Sequence, residues 1–190
     1  IAIEYIKLGQ LSSIKHSSKQ NLKHTNTNSV FPHVAEVFSP PRVTKLAGKV
    51  NLRGGFALDL TQVDPLDGMP WDFSIEEKRA RARSIVEVQQ RFLLIGSPPC
   101  TAFSQLFSSN ISRMDPARVH EKIQEALIYL KFCIELYTIQ LQNGRYFLHE
   151  HPWGAWSWRV PEMERLLALP EVKKAKGHMC RPDMYIQNKD

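Results

Sequence analysis

An α/β fold, with a mostly parallel sheet flanked by helices, is predicted by three features of the sequence. Short apolar runs of strand character recur at 33–38, 56–60, 92–95 and 145–150. Segments of helical period lie between them, the longest with Val119, Ile123, Ala126, Leu130, Cys133, Tyr137 and Leu141 at intervals of three and four. Each run is also closed by proline or an acidic residue: Ser39-Pro40-Pro41, Asp59, Pro98-Pro99 and Glu150-His151-Pro152. Strands alternating with crossover helices specify right-handed parallel units, and such breakers set polar groups at the strand ends.

A chain of 190 residues buries one core of moderate size. One domain is therefore expected at 33–190, behind a basic, flexible arm at 1–32 that is rich in Ser, Asn, Lys, His and Gln. Lys and Arg total 25 against 19 Asp and Glu, a formal charge of +6 that suits a polyanionic partner. No apolar run approaches a bilayer span, and 1–10 is too short and polar for a signal peptide. No membrane is expected, and the location is intracellular, nuclear in a eukaryote. Three scattered cysteines fit a reducing compartment better than a disulfide framework, and they lack zinc-ligand spacing, His178 and Cys180 included. The first residue is not methionine, which fits a processed chain or a fragment.

In order along the chain, the arm reads as a phosphate-contacting tail or a plain terminal linker, with an ordered piece near 1–11. Strand 33–38 ends at Ser39-Pro40-Pro41, a helix covers about 42–50, and 51–55 supply a turn before strand 56–60. Asp59 ends that strand, where a carboxylate can accept from both ribose hydroxyls of a nucleotide-like ligand; an ordinary loop aspartate is the alternative. In the loop 61–74, Trp71 and Phe73 either flank an adenine ring whose amino group donates to Asp72, or anchor a helix 74–90 capped by Asp72 or Ser74. Along that helix Glu76-Glu77 precede Lys78, Arg79, Arg81 and Arg83, an order that suits the helix dipole and reads as a solvated face ahead of a phosphate stripe. Residues 105–114 read as a polar, mobile connection. Asp115-Pro116 starts the long helix and Asn143-Gly144 ends it, with Cys133 on its core face. A short helix at 160–169 and a strand edge or loop at 172–176 follow.

The strand at 92–95 leads into Gly96-Ser97-Pro98-Pro99-Cys100-Thr101-Ala102-Phe103-Ser104. The prolines remove two donors and fix two φ angles, so the chain leaves the sheet in a stiff turn that ends on Cys100. Unattached cysteines are most often packed, and nothing adjacent in sequence lowers this thiol's pKa. The string nevertheless resembles the catalytic loop of DNA (cytosine-5)-methyltransferases, Gly-x-Pro-Pro-Cys-x-x-Phe-Ser, with proline pair, nucleophile and Phe-Ser all present. In the amino-methyltransferases that act on exocyclic nitrogen an aromatic follows Ser-Pro-Pro, and Cys100 argues against them. Phe147-Leu148-His149-Glu150-His151-Pro152 is similar to the family strand ending in Glu-Asn-Val, matched at Glu150 but not at His151 and Pro152. The likeness spans about 34–180, where Gly177-His178-Met179-Cys180-Arg181 resembles the start of the next family strand.

This resemblance implies a Rossmann-like sheet that binds S-adenosylmethionine and accepts a flipped cytosine. It implies that Cys100 adds to ring carbon 6 and that Glu150 stabilises the ring protonated at nitrogen 3. Covalent addition is needed because carbon 5 is otherwise a poor nucleophile. The implied cofactor site comprises Phe38, Ser39, Arg42, Asp59, Asp72, Phe73, Ser97 and Pro98. The partner is nucleic acid, DNA ahead of RNA. Two departures bear on activity. Ser39-Pro40-Pro41-Arg42 stands where the family has a Gly-rich turn, so cofactor binding either differs, with Arg42 taking the methionine carboxylate, or is lost. Target-recognition and closing segments are missing, which another chain would supply. The strings Phe-Ser-Pro-Pro-Arg, Trp-Asp-Phe and Ser-Pro-Pro-Cys also resemble methyltransferase-like modules of some retroelement polyproteins. The rival expectations are a non-catalytic nucleic-acid-binding remnant and an amino-methyltransferase.

Overall fold

The structure, a computed structural model, describes residues 2–6 and 33–178. Among them are strands β1 (Ala2–Ile6), β2 (His33–Val37), β3 (Arg53–Leu58), β4 (Leu93–Gly96), β5 (Tyr146–His149) and β6 (Lys174–His178). The helices are α1 (Val43–Leu46), α2 (Glu76–Gln89), α3 (Gln105–Asn110), α4 (Pro116–Gln142) and α5 (Pro161–Leu167). The four central strands form one parallel sheet in the order β3-β2-β4-β5, and β1 pairs antiparallel with β6. The α/β class expected from the alternation is thus the one observed. From β2 the chain steps outward to β3, then returns past β2 to lay down β4. The crevice beyond the carboxyl ends of β2 and β4 is therefore a topological switch point, where such sheets bind ligands.

Val34, Ala35 and Val37 of β2 are fully buried, as a central strand requires. A run of four apolar residues, Phe92 to Ile95, suits a parallel strand covered on both faces, but β4 alternates: Leu94 and Gly96 are buried while Leu93 and Ile95 are half-buried. The buried face of β4 and β5 lies against α4, whose Tyr137 ring stacks on Phe147 at 4.4 Å, and the opposite face is only partly covered. Asp115 caps α4 by accepting from Ala117 N and Arg118 N, with Pro116 in the first turn, and Gly144 adopts φ 65° just past its end.

Several boundaries differ from expectation for local reasons. The 42–50 helix is one α turn followed by a 3-10 turn at Ala47–Val50. The glycines at 54 and 55 belong to β3 rather than to a turn, because α1 crosses so closely that a Cβ on Gly54 would overlap the Thr44 carbonyl. Asp59 consequently lies just past the strand. Helix α2 starts at Glu76 behind Ile75, which caps with no side chain, so neither Asp72 nor Ser74 is the cap. Residues 105–114 are α3 and a 3-10 turn rather than a mobile connection, since Ser104 accepts from Phe107 N and caps α3. Among the described residues the loop 61–74 carries one isolated bridge, between Val63 and Pro70. Most of the 1–32 arm, and Cys180, lie outside the described residues. Among the described residues no helix is long and apolar enough to cross a membrane.

Candidate active site

The exit of β2 carries a positive φ at Phe38 (56°), where the chain turns sharply while Phe38 N donates to Leu58 O at 2.9 Å. Its ring packs against Phe73 at 4.7 Å and Tyr129 at 5.5 Å. The Ser39-Pro40-Pro41 turn is tied from below by Glu36, a carboxylate only 1 % exposed. Glu36 accepts from Ser39 Oγ (3.0 Å) and from Thr44 N and Oγ1 (both 2.7 Å). Ser39 is therefore turned into the protein, its hydroxyl committed to Glu36 and to the Pro40 carbonyl (2.9 Å). Arg42 is exposed, and its guanidinium has no hydrogen bond or ion pair among the described residues.

Phe38, Asp59, Leu60, Trp71, Phe73, Pro99 and Tyr129 enclose a hollow of about 70 Å³. It shares Leu60, Pro99 and Tyr129 with a neighbouring hollow of about 250 Å³ that Lys122 and Glu125 also line. Asp59 Oδ1 accepts from Thr61 N (3.0 Å) and Thr61 Oγ1 (2.7 Å), leaving Oδ2 without a partner among the described residues. Asp72 does not line either hollow; its Oδ1 accepts from Ser74 N at 2.9 Å in a local turn, so the adenine-amino role is not supported. Phe73 is a core residue, 2 % exposed, that gives only an edge to the hollow.

On the other side of the switch point, β4 and β5 pair Gly96 with His149, and Glu150 N donates to Gly96 O at 3.0 Å. Ser97 N donates to Val37 O at 3.2 Å, so the loop leaves β4 directly beside β2. Cys100 then begins a 3-10 turn, Thr101–Phe103, whose Ala102 carbonyl accepts from Trp156 Nε1 at 3.1 Å. Phe103, fully buried, packs edge-on to Trp156 at 4.6 Å. The Phe-Ser of the motif thus anchors and caps. The Cys100 thiol is half-buried; burial pushes its pKa up, and the charge of nearby Glu150 pushes it further. Burial likewise raises the Glu150 carboxyl, which has no hydrogen bond or ion pair among the described residues. Burial and mutual repulsion thus both disfavour the state in which the two groups are charged together. The rim therefore runs from Asp59 through Phe38 and Ser97 to Cys100 and Glu150. At about 4.8 Å per strand, its two ends are roughly 14 Å apart. Cys100 and Glu150 line neither hollow, so the candidate residues are strung along one edge rather than gathered around one cavity.

His151, read in the sequence only as a mismatch, joins the two loops. It is 1 % exposed, and its Nε2–H donates to Pro98 O at 2.9 Å while Nδ1 accepts from Ser157 Oγ at 2.7 Å. A carbonyl only accepts, which fixes this tautomer. Burial lowers the His151 pKa to about 4. His149, fully buried, bonds Tyr137 Oη through Nδ1 at 2.9 Å; burial, with His151 alongside, holds its pKa well below the usual value. The sequence signal was two histidines spaced by two at a strand end, where alternation sends both to the same face.

Acid lability follows from these two neutral rings. The unfolded histidines take a proton near pH 6.5 and the folded ones do not, so the unfolded state binds more protons below that pH. Stability is thus expected to fall as pH drops below about 6.5, by at most roughly 1.4 kcal/mol per pH unit for each histidine. For His151 the loss continues to its folded pKa of about 4. Urea midpoints at pH 7, 6 and 5 check this. His151→Gln should show a shallower decline than the parent, and identical slopes would overturn it.

Comparison of the chain with protein-family models, with curated proteins and with solved structures finds no match. Among the described residues no group of three His, Cys, Asp or Glu side chains is arranged to hold a metal ion.

Proposed function

We propose that this chain is a DNA (cytosine-5)-methyltransferase-like domain that transfers a methyl group from S-adenosylmethionine to carbon 5 of cytosine in nucleic acid, through a covalent adduct at Cys100. Support comes above all from the adjacent exits of β4 and β5, where Glu150 N donates to Gly96 O and the Glu150 charge reaches the half-buried Cys100 thiol, neither side chain having a hydrogen bond or ion pair among the described residues.

The residues present suit the nucleoside half of the cofactor. Asp59 Oδ2 is available to ribose hydroxyls, and Phe38, Trp71 and Tyr129 offer apolar walls for a purine. At the methionine half the turn presents prolines where amides would be needed, which leaves Arg42 as the cation for a carboxylate. When bound, S-adenosylmethionine supplies an electrophilic methyl group. The chain's own part is to make carbon 5 nucleophilic. Glu150 donates its proton to ring nitrogen 3, which draws electron density from the ring and opens carbon 6. Cys100 loses its proton to solvent as the Sγ–C6 bond forms, and carbon 5 becomes electron-rich. Once carbon 5 carries the methyl group it sheds its own proton. That electron pair restores the C5–C6 double bond, Sγ leaves as thiolate and is reprotonated, and Glu150 regains its proton.

Titration calorimetry with S-adenosylhomocysteine and incubation with methyl-labelled cofactor on cytosine-containing DNA and RNA test this. Binding with label recovered at carbon 5 is expected. Binding without transfer would favour the remnant, to which the inward-turned Ser39 lends weight; no binding would overturn both the cofactor and the reaction.

A further inference from the structure

The opposite end of the sheet carries a second site. There an open hollow of about 480 Å³ is lined by His33, Gln89, Arg91, Asn143 and Arg145 among others, and no carboxylate lines it among the described residues. Arg145 Nε donates to Gln140 Oε1 at 2.7 Å, but its Nη2 is buried from solvent with no partner among the described residues. A guanidinium donor left dry and unpaired is destabilising unless an acceptor arrives. Arg91 donates Nε and Nη2 to Gln89 Oε1 (3.2 and 2.6 Å), and its Nη1 contacts His33 Nδ1. Arg53 stands opposite His33 in the β2–β3 register and adds a third guanidinium charge. Burial first, then the charges of Arg91 and Arg53, disfavour a protonated His33. Among the described residues Arg91 and Arg145 therefore meet amide oxygens and an imidazole that resists protonation rather than a counter-charge.

Gln140 makes the arrangement rigid. It is 1 % exposed, and it donates Nε2 to Arg91 O (3.0 Å) and Tyr146 O (2.8 Å) while its Oε1 holds Arg145. One buried amide thus fixes the chain bearing one arginine and the side chain of the other. Planar guanidinium forks held in this way suit tetrahedral oxyanions, which accept several N–H donors at once.

We propose that this hollow is a phosphate-binding site in which Arg91 and Arg145 hold the phosphate oxygens and Arg53 and His33 flank them. The phosphate is either a free group or one phosphodiester of a nucleic-acid backbone. The site is independent of the methyl-transfer reaction, since it lies at the amino ends of β2, β4 and β5 and that chemistry at their carboxyl ends.

The test titrates the full chain and its Arg145→Gln and Arg91→Gln variants with inorganic phosphate and, separately, with short single-stranded and duplex oligonucleotides at two salt concentrations. Circular dichroism confirms folding. Saturable phosphate binding, weakened about tenfold or more in Arg145→Gln, supports the site as one for free phosphate. Oligonucleotide binding alone, weakened in the variants and with a salt slope lower by about one, supports the backbone source. Arg53→Gln, at an exposed side chain without hydrogen bonds, keeps the test open should the other variants not fold. Equal binding of every probe by parent and variants, or binding of none, overturns the site.

Discussion

Cys100→Ser is expected to lower methyl transfer by roughly a thousandfold or more while leaving the affinity for S-adenosylhomocysteine unchanged. The serine hydroxyl is close in shape, and the loop does not depend on the sulfur. The loop is held by Pro98 O on His151, by Ala102 O on Trp156 and by the buried Phe103 ring. What is lost is a polarizable nucleophile that both adds to carbon 6 and leaves from it. An amino-methyltransferase acting on exocyclic nitrogen would keep its activity in the same variant, so the result separates two chemistries that share a fold. Glu150→Gln complements it. Glutamine cannot hand a proton to ring nitrogen 3, and a loss of about 10²-fold or more is expected, in line with removal of a general acid. The same substitution removes the negative charge that raises the Cys100 thiol. Alkylation of Cys100 by iodoacetamide should therefore begin at lower pH in Glu150→Gln than in the parent, a readout independent of catalysis. A parent and variant with superimposable alkylation profiles would show that the two groups are not electrostatically coupled.

The parts of this structure legible in the sequence are those governed by local rules. Asp115-Pro116 and Gly144 mark the ends of α4 because caps need particular residue types within a few positions. The parallel sheet follows from runs and crossovers of the right length, and the strand-end rule suffices to bring Cys100 and Glu150 to one rim. What was not legible depends on pairs distant in sequence. Gly54 looks like part of a turn until Thr44 of α1 is seen crossing it, and Gly55 until the Val34 carbonyl and the Arg91 side chain are seen against it. Ser39 looks available until Glu36 takes its hydroxyl. His151 looks like a substitution at a family position until Pro98, more than fifty residues away, is found to accept from it. The amino-end arginines carry no local signature, since Arg53, Arg91 and Arg145 come from three separate segments and meet only because of the strand order β3-β2-β4-β5.

Gly96→Ala is expected to destabilise the fold by about 3 kcal/mol, at the upper end of the range for inserting a methyl group into a packed core. The added Cβ would overlap Tyr137 Oη and Cys133 Sγ and lie 2.9 Å from Tyr137 Cζ. Neither side chain can retreat. Both are fully buried, the Tyr137 ring is stacked on Phe147, and its hydroxyl bridges Cys133 Sγ and His149 Nδ1 at 2.9 Å each. Relief would come only by moving β4 away from α4, which would also pull Gly96 O from Glu150 N and part Cys100 from Glu150. In a chain of this size the loss corresponds to a fall in Tm of very roughly 10 °C. Tyr137→Phe removes the colliding oxygen but also breaks the bridge, so alone it should destabilise, and combined with Gly96→Ala it should cost less than the sum of the two single changes. Urea unfolding of the four chains reads this coupling. Strict additivity, or a Gly96→Ala chain within about 0.5 kcal/mol of the parent, would mean that the glycine of the Gly-x-Pro-Pro-Cys string is kept for reasons other than the close approach of α4.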